Sequence, residues 1–371
     1  MLLTLTAKIK ILPSPSEQTL LYDTMQAYSS ACNYVSEYIF TSKELGQYAL
    51  NKVLYYNIRS RFSLRSQVAQ SVIKTVISRY KSIQSNGDEW TKPTFKRLEY
   101  DLVWNRDYLL RGDVFSVSTL SGRIKVAYNS EAMQHYFDGT WHFGTAKLVF
   151  KHNKWFLHIP MSKEIDILQD EDVVNVVGVD LGINFTATSY DSLGNTVFYA
   201  GRTIKRRRAQ FSKNRKDLQQ RKTPSSRSRL KRIGSRENRW VQDINHQVSK
   251  SLVESQPAKT LFVLEDLTGI RAATERVVLK NRYVTVSWAF YDLRQKLEYK
   301  ALRAGSKVVA VNPKYTSQTC PKCGHTKQTN RNKKAHVFCC KNCGYTSNDD
   351  RVGAMNLHRK GIEYLSAVAS E

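Results

Sequence analysis

Two closely spaced pairs of cysteines constrain this chain more than any other feature. Cys320-x2-Cys323 is followed after 16 residues by Cys340-x2-Cys343, with Gly324 and Gly344 placed to make a tight knuckle after each pair. The spacing is that of a zinc ribbon, in which four thiolates hold one structural Zn2+ and leave no position open to water. Such a segment is too short for a hydrophobic core, so metal binding and folding would be one event. Cys339 is an extra thiol that could stand in for Cys340. His325 and His336 could also substitute, although four regularly spaced cysteines suffice. Five of the six cysteines fall between Cys320 and Cys343, and Cys32 stands alone. With no signal-peptide pattern, this clustering reads as metal ligation in a reducing, cytoplasmic setting rather than as disulfides.

Charge narrows the partners. The chain has 371 residues, with 58 Lys+Arg against 32 Asp+Glu and a net charge of +26. A surplus of that size favours a polyanion, through counterion release and long-range attraction. No apolar run approaches the roughly 18 residues of a spanning helix, so nucleic acid is preferred to membrane. The length allows two or three domains with real cores.

Periodicity divides the chain. LTLTAKIKIL alternates as a half-buried strand, and Pro13 and Pro15 end it. Long amphipathic stretches then run to about Gln84, starting near Ser16-Glu17. Tyr22, Tyr28, Tyr34 and Tyr38 lie partly at helical spacing and read as core. From Trp90 to Pro160 the pattern is short strands and turns, a small antiparallel barrel or sandwich to which the first strand would belong. Residues 1–15 and 88–170 are therefore assigned to a β-barrel and 16–87 to a helical insertion. After the acidic EIDILQDED connector, VVNVVGVDLGINFTATSYDSLGNTVFYAG predicts three consecutive antiparallel strands with an acid ending the first, as an RNase H-type fold begins. Residues 171–316 and 347–371 form this second, α/β domain, interrupted by the ribbon at 317–346.

Three acids sit at element ends. Asp180 ends VVGVD, Glu265 ends LFVLE, and Asp350 opens the last helix. Each taken singly also reads as a strand or helix cap, and Asp172, Asp266 and Asp349 are candidates on composition alone. Asp349 fits a surface or N-capping role. The order strand-Asp, strand-Glu, helix-Asp in one α/β domain favours a hard oxygen cage for Mg2+ or Mn2+. A pair of such ions can serve phosphodiester hydrolysis.

GVDLGIN, NRWVQDINHQVSKSLV, LFVLEDLTGI, WAFYDLRQKLEYKALRAG, VNPKYTSQTCPKCG, FCCKNCGYTSNDD and AMNL occur in this order. Together they resemble the TnpB proteins of insertion sequences and the related compact type V CRISPR effectors. The likeness is strong over about 175–360; LTAKIKILPSPSEQ, KPTF and SGRIKVAY extend it weakly towards the N-terminus. It implies a RuvC nuclease domain interrupted by a zinc ribbon, preceded by a wedge-like barrel carrying a helical recognition insertion. It further implies a transposon-derived guide RNA, a short motif beside the target, and cleavage of both strands of double-stranded DNA by one RuvC centre. On that pattern Asp180, Glu265 and Asp350 are the metal-binding catalytic acids. The oligomeric state is not read from the sequence, with a monomer favoured. Where relatives often have Asn-Ala-Ala, this chain has Val352-Gly353-Ala354; small residues still permit close helix packing. A nuclease-silent RNA-guided DNA-binding repressor and a guide-independent RuvC-type nuclease remain as alternative readings.

The basic run from Arg202 to Arg239 reads as two helical arms around Pro224 and a serine cluster, or as a disordered tether. Lys205, Arg206, Arg207, Arg208, Lys213, Arg215, Arg229, Lys231 and Arg232 are its expected nucleic-acid contacts, reading phosphates along a guide–target heteroduplex. Trp104, Trp141, Trp155 and Trp240 read as core before base-stacking platforms.

Overall fold

The computed structural model describes residues 1–182, 184–266, 290–333 and 335–368. The end of LFVLEDLTGI beyond Asp266 and the start of WAFYDLRQKLEYKALRAG before Phe290 lie outside them. The chain forms two units, residues 2–164 and residues 165–371 with Met1.

In the first unit an antiparallel sheet runs β2-β7-β8-β1-β5-β4-β3, with the short β6 (His142–Phe143) paired to β8. Its spine is β1 (Leu2–Leu12), which pairs with β8 (Lys154–Glu164) from Leu2↔Glu164 to Ile11↔Trp155. The other strands are β2 (Glu99–Leu102), β3 (Tyr108–Arg111), β4 (Val114–Thr119), β5 (Gly122–Tyr128) and β7 (Ala146–Lys151). Period-two alternation buries Leu148, Leu157, Ile159 and Met161. Between β1 and β2 come three helices: α1 (Pro15–Ser42), α2 (Gln47–Phe62) and α3 (Ser66–Ser85). The first begins one residue earlier than Ser16, because Ser14 and Glu17 form a reciprocal capping box and Pro15 takes the first-turn position its ring favours. Only part of the tyrosine stripe is core: Tyr28 is buried, but Tyr22 and Tyr38 are each 36% exposed.

The second unit is built on a five-stranded sheet of order β11-β10-β9-β12-β13. Strands β9 (Asn175–Asp180), β10 (Phe185–Asp191) and β11 (Thr196–Ala200) are antiparallel neighbours, as the sequence predicts. Strands β12 (Thr260–Glu265) and β13 (Lys307–Val311) continue the sheet parallel to β9. Because β9 and β12 are buried on both faces, they read as continuous apolar runs. One face carries Val177, Val179, Phe262 and Leu264 against α6 (Arg236–Glu254) and α7 (Phe290–Arg303). The opposite face carries Val176, Leu261 and Val263 against α8 (Asp349–Val368). Helices α4 (Arg202–Arg221) and α5 (Pro224–Ile233) follow β11, so the basic run is helical. Thr223 caps α5 by accepting from the Ser226 backbone N–H at 3.2 Å, and Pro224 opens it. A three-stranded ribbon, β14 (Arg331–Asn332), β15 (Val337–Cys339) and β16 (Thr346–Asn348), leads directly into α8. Among the described residues no helix is long and apolar enough to cross a membrane.

Candidate functional site

Strand register brings two of the three acids together. Leu264 of β12 lies beside Val179 of β9 in parallel pairing, so Glu265 and Asp180 end adjacent strands at the same level. Alternation sends residues 176, 178 and 180, and 261, 263 and 265, to the face covered by α8. The third acid, Asp350, stands in the first turn of that helix.

Close backbone approach makes the convergence possible. A Cβ on Gly178 would lie 2.0 Å from the Ala354 carbonyl oxygen, and one on Gly353 would lie 3.0 Å from Asp180 Oδ2. The Val352-Gly353-Ala354 step thus brings the helix backbone against the Asp180 carboxylate. Burial, with Glu265 and Asp350 adding like charge, pushes the Asp180 carboxyl well above the usual carboxylate range. Burial also raises Glu265, opposed by a hydrogen bond from Thr316 Oγ1. Asp350 is raised by burial and by Asp349 beside it. Asp180 is thus disfavoured as a carboxylate by the two other acids, and the donor set is entirely hard oxygen, the ligand type that Mg2+ and Mn2+ take.

Asp349 is not a surface acid. It is fully buried, and its Oδ2 accepts from Arg331 Nε at 2.7 Å. The helix cap is Asn348, whose Oδ1 accepts from the backbone N–H groups of Asp350 and Arg351 at 3.0 and 3.1 Å. Arg331 Nη2 is also 3.7 Å from Asp350 Oδ1, so the ribbon brings a guanidinium to the acids. Oxygen and nitrogen donors of His336, Asp349 and Asp350 lie within 4.8 Å of one another as well. There the Arg331 guanidinium already balances Asp349. The side-chain amide of Asn356 ties α8 to the loop after β13, donating to the Thr316 and Thr319 carbonyls at 2.7 and 2.8 Å. Thr316, Arg331, Asn348 and Asn356 were not singled out from the sequence. For Asn348 the signal was available, as an Asn preceding a helical pattern; the others act across long chain separations.

The cysteines form one cluster. Sulfurs of Cys320, Cys323, Cys340 and Cys343 all lie within 4.8 Å of one another, with Cys320–Cys343 and Cys323–Cys340 each at 3.6 Å. Tetrahedral ligation at Zn–S of about 2.3 Å places sulfurs about 3.8 Å apart, so the four can hold a zinc ion. Gly324 and Gly344 adopt φ of +74° and +72° at the knuckles. Cys340, not Cys339, belongs to the cluster, and neither His325 nor His336 enters it.

The expected phosphate contacts divide. Lys205, Arg206, Arg207, Lys213, Arg229, Lys231 and Arg232 are exposed. Arg208 is 4% exposed and pairs with the buried Glu237 at 3.2 Å, and Arg215 reaches the same carboxylate. Ile204, Arg208, Phe211, Arg215 and Leu218 repeat at four- and three-residue steps along α4. That stripe turns inward, so Arg208 and Arg215 hold α4 against α6 rather than facing a ligand. Trp141 and Trp155 are buried; Trp104 stacks on Phe143, and Trp240 lies under Arg207 at 4.5 Å.

Comparison with known proteins places this arrangement. Residues 158–269 match the family model described as "Probable transposase", and 290–357 match "Cas12f1-like, TNB domain". "CRISPR-associated endodeoxyribonuclease Cas12f1" of Sulfoacidibacillus thermotolerans is 26% identical over 376 residues, covering 89% of this chain and 86% of its own. "TnpB-like protein MJ0751" of Methanocaldococcus jannaschii is 30% identical over 210 residues, 54% of this chain and 73% of that protein. Among solved structures, a Cas12f1–sgRNA–target DNA complex aligns with TM-score 0.61 at 10% identity, covering 96% of this chain and 99% of that one. Fold and site define a compact α/β protein of the type shared by insertion-sequence proteins and small CRISPR effectors. The chain belongs to the TnpB family.

Proposed function

We propose that this chain is an RNA-guided DNA endonuclease. A guide RNA directs it to double-stranded DNA bearing a short adjacent motif, and Asp180, Glu265 and Asp350 form one RuvC-type, metal-dependent centre that cuts both strands. The observation that carries this reading is the meeting of two adjacent strand ends with the first turn of α8, which concentrates three carboxylates on one face of the sheet. The relative named as a CRISPR-associated endodeoxyribonuclease supports the same class of activity. In this reading residues 171–316 and 347–371 form the RuvC-like domain, and residues 1–15 and 88–170 form a wedge-like barrel carrying the recognition insertion at 16–87.

Asp180, Glu265 and Asp350 would hold the Mg2+ or Mn2+ ions. When bound, these ions polarise the scissile phosphate and activate the attacking water. Thr316 Oγ1 fixes the Glu265 carboxylate by donating to it, and Asn356 fixes the Thr316 loop in turn. Arg331 offsets the negative charge around Asp349 and Asp350. The four cysteines would hold one structural Zn2+, and the folded ribbon sets both the start of α8 and the position of Arg331. Preorganised charge of this kind serves a phosphoryl transition state without rearrangement during the reaction.

The test begins with the RNA that co-purifies when the gene is expressed with its native flanking DNA. One dominant species with a constant scaffold and a genome-matching end is expected, and a plasmid carrying that match should be cut in Mg2+. Asp180→Ala should retain the RNA and lose the cutting. Retained cutting by that variant would overturn the metal assignment. A smear of unrelated RNA with unguided cutting would leave a RuvC-type nuclease, and guided binding without any cutting would leave a repressor.

A further inference from the structure

The α4–α5 hairpin holds a cleft of about 560 Å³ whose walls carry Arg221, Arg229, Arg232 and Arg236. All four are exposed. Among the described residues none of them makes an ion pair or side-chain hydrogen bond, in contrast to Arg208 and Arg215 on the same hairpin. Four uncompensated guanidiniums around one concavity oppose folding by mutual repulsion, a cost that an anionic ligand would remove. Guanidinium forks match phosphate oxygens, and the cleft is open and far larger than one phosphate group, as a passing strand requires.

The same wall carries Asp217, which a site built for phosphate alone would avoid. Among the described residues no cation lies within ion-pairing distance of its carboxylate, and no hydrogen bond engages it. Asn214 stands beside it, its Oδ1 occupied by Gln210 Nε2 at 2.9 Å. A carboxylate without a protein partner among phosphate-binding arginines is open to a donor from the ligand. The ribose 2′-hydroxyl is the donor that an RNA backbone has and a DNA backbone lacks. Leu218 and Ile233 line the apolar floor, which accepts a sugar face without readout of bases.

We infer that the α4–α5 cleft binds the sugar–phosphate backbone of an RNA strand, with Arg221, Arg229, Arg232 and Arg236 on phosphates and Asp217 accepting a 2′-hydroxyl. This rests on the RNA-guided reading above, but it is tested by binding alone. The background is the full-length zinc-loaded Asp180→Asn protein, so that nothing is cut. The probes are a fluorescein-labelled single-stranded RNA and a DNA of the same sequence, titrated by anisotropy across a series of KCl concentrations.

Replacing all four arginines by glutamine should lower the slope of log affinity against log salt by about 3, from ~0.7 per single-strand phosphate contact. The matching lysine replacements keep the charge and should keep the slope while weakening binding, which guards against misfolding of the glutamine protein. Asp217→Ala should weaken RNA about tenfold, the effect of one charged hydrogen bond, and leave DNA unchanged or tighter. An unchanged slope in the folded glutamine variant would remove the backbone from this cleft. Parallel changes in RNA and DNA on Asp217→Ala would overturn its assignment to the sugar. Absence of guided cutting by the wild-type protein, with these binding effects intact, would instead overturn the proposed function and leave the cleft standing.

Discussion

Replacing Gly178 by alanine should push α8 away from the sheet and lower both stability and cleavage rate. The added Cβ would lie 2.0 Å from the Ala354 carbonyl oxygen and 2.4 Å from the His358 backbone nitrogen. Ordinary contact begins near 3.4 Å, so the two backbones must part by about 1.4 Å, the difference between 3.4 and 2.0 Å. Neither neighbour is the end of a flexible side chain, so the helix must move as a body. Overpacking costs about 1–3 kcal/mol, and we expect the upper end here. For a unit the size of residues 165–371, ~3 kcal/mol corresponds to a fall in Tm of roughly 6–12 °C. The catalytic consequence is larger, because β9 carries Asp180 and α8 carries Asp350. A displacement of about 1 Å costs on the order of 100-fold in rate. Gly353→Ala is the internal comparison: its Cβ would meet Asp180 Oδ2 at 3.0 Å and Cγ at 3.1 Å, needing only about 0.4 Å of adjustment. That variant should lose less than about 1 kcal/mol while cutting roughly tenfold more slowly, since the atom displaced is the proposed metal ligand itself. Differential scanning fluorimetry and guided plasmid cleavage measure the two quantities. Wild-type melting and cutting by Gly178→Ala would refute the packing of α8 on β9. Equal destabilisation by both variants would refute the ranking by separation.

Four further outcomes are expected. Asp180→Asn should raise the Tm of the protein in metal-free buffer while abolishing cutting, because it removes one of three crowded buried charges; a lower Tm would mean the acids are not in mutual repulsion. Cys340→Ser, or removal of zinc by a thiol-competing chelator, should unfold the ribbon and reduce cutting at least 100-fold without releasing bound RNA, read by zinc content and gel shift. Thr316→Val should reduce the cleavage rate about tenfold, roughly one hydrogen bond to a charged group, with no change in zinc content. Burial and the nearby Lys296 lower the Lys300 ammonium to about 8. The folded state therefore binds fewer protons than the unfolded chain between about pH 8 and 10.5, and stability should rise with pH across that window. A side-chain NMR titration of Lys300 with its midpoint above 10 would contradict this.

The parts legible in the sequence are those whose signal is local and periodic. Four cysteines at ribbon spacing, and apolar strands that end in Asp180 and Glu265, announce their chemistry within a few residues. Alternation along β9 and β12 already implies which face each acid occupies, although not that the two strands are neighbours. That adjacency belongs to the sheet order, in which β12 pairs with β9 across more than 80 intervening residues.

Tertiary structure alone decides how charged residues are used, because charge has no period to read. Arg208 and Arg229 look alike in a basic run, yet one is buried on Glu237 and the other faces an open cleft. Asp349 and Asp350 are adjacent in sequence; an arginine carried in by the ribbon takes up the first, and the second joins the acids of the sheet. Composition and spacing pointed to a metal and a polyanion as ligands. Which ionic groups are left for those ligands was settled by burial, since a buried charge must first find its partner inside the fold.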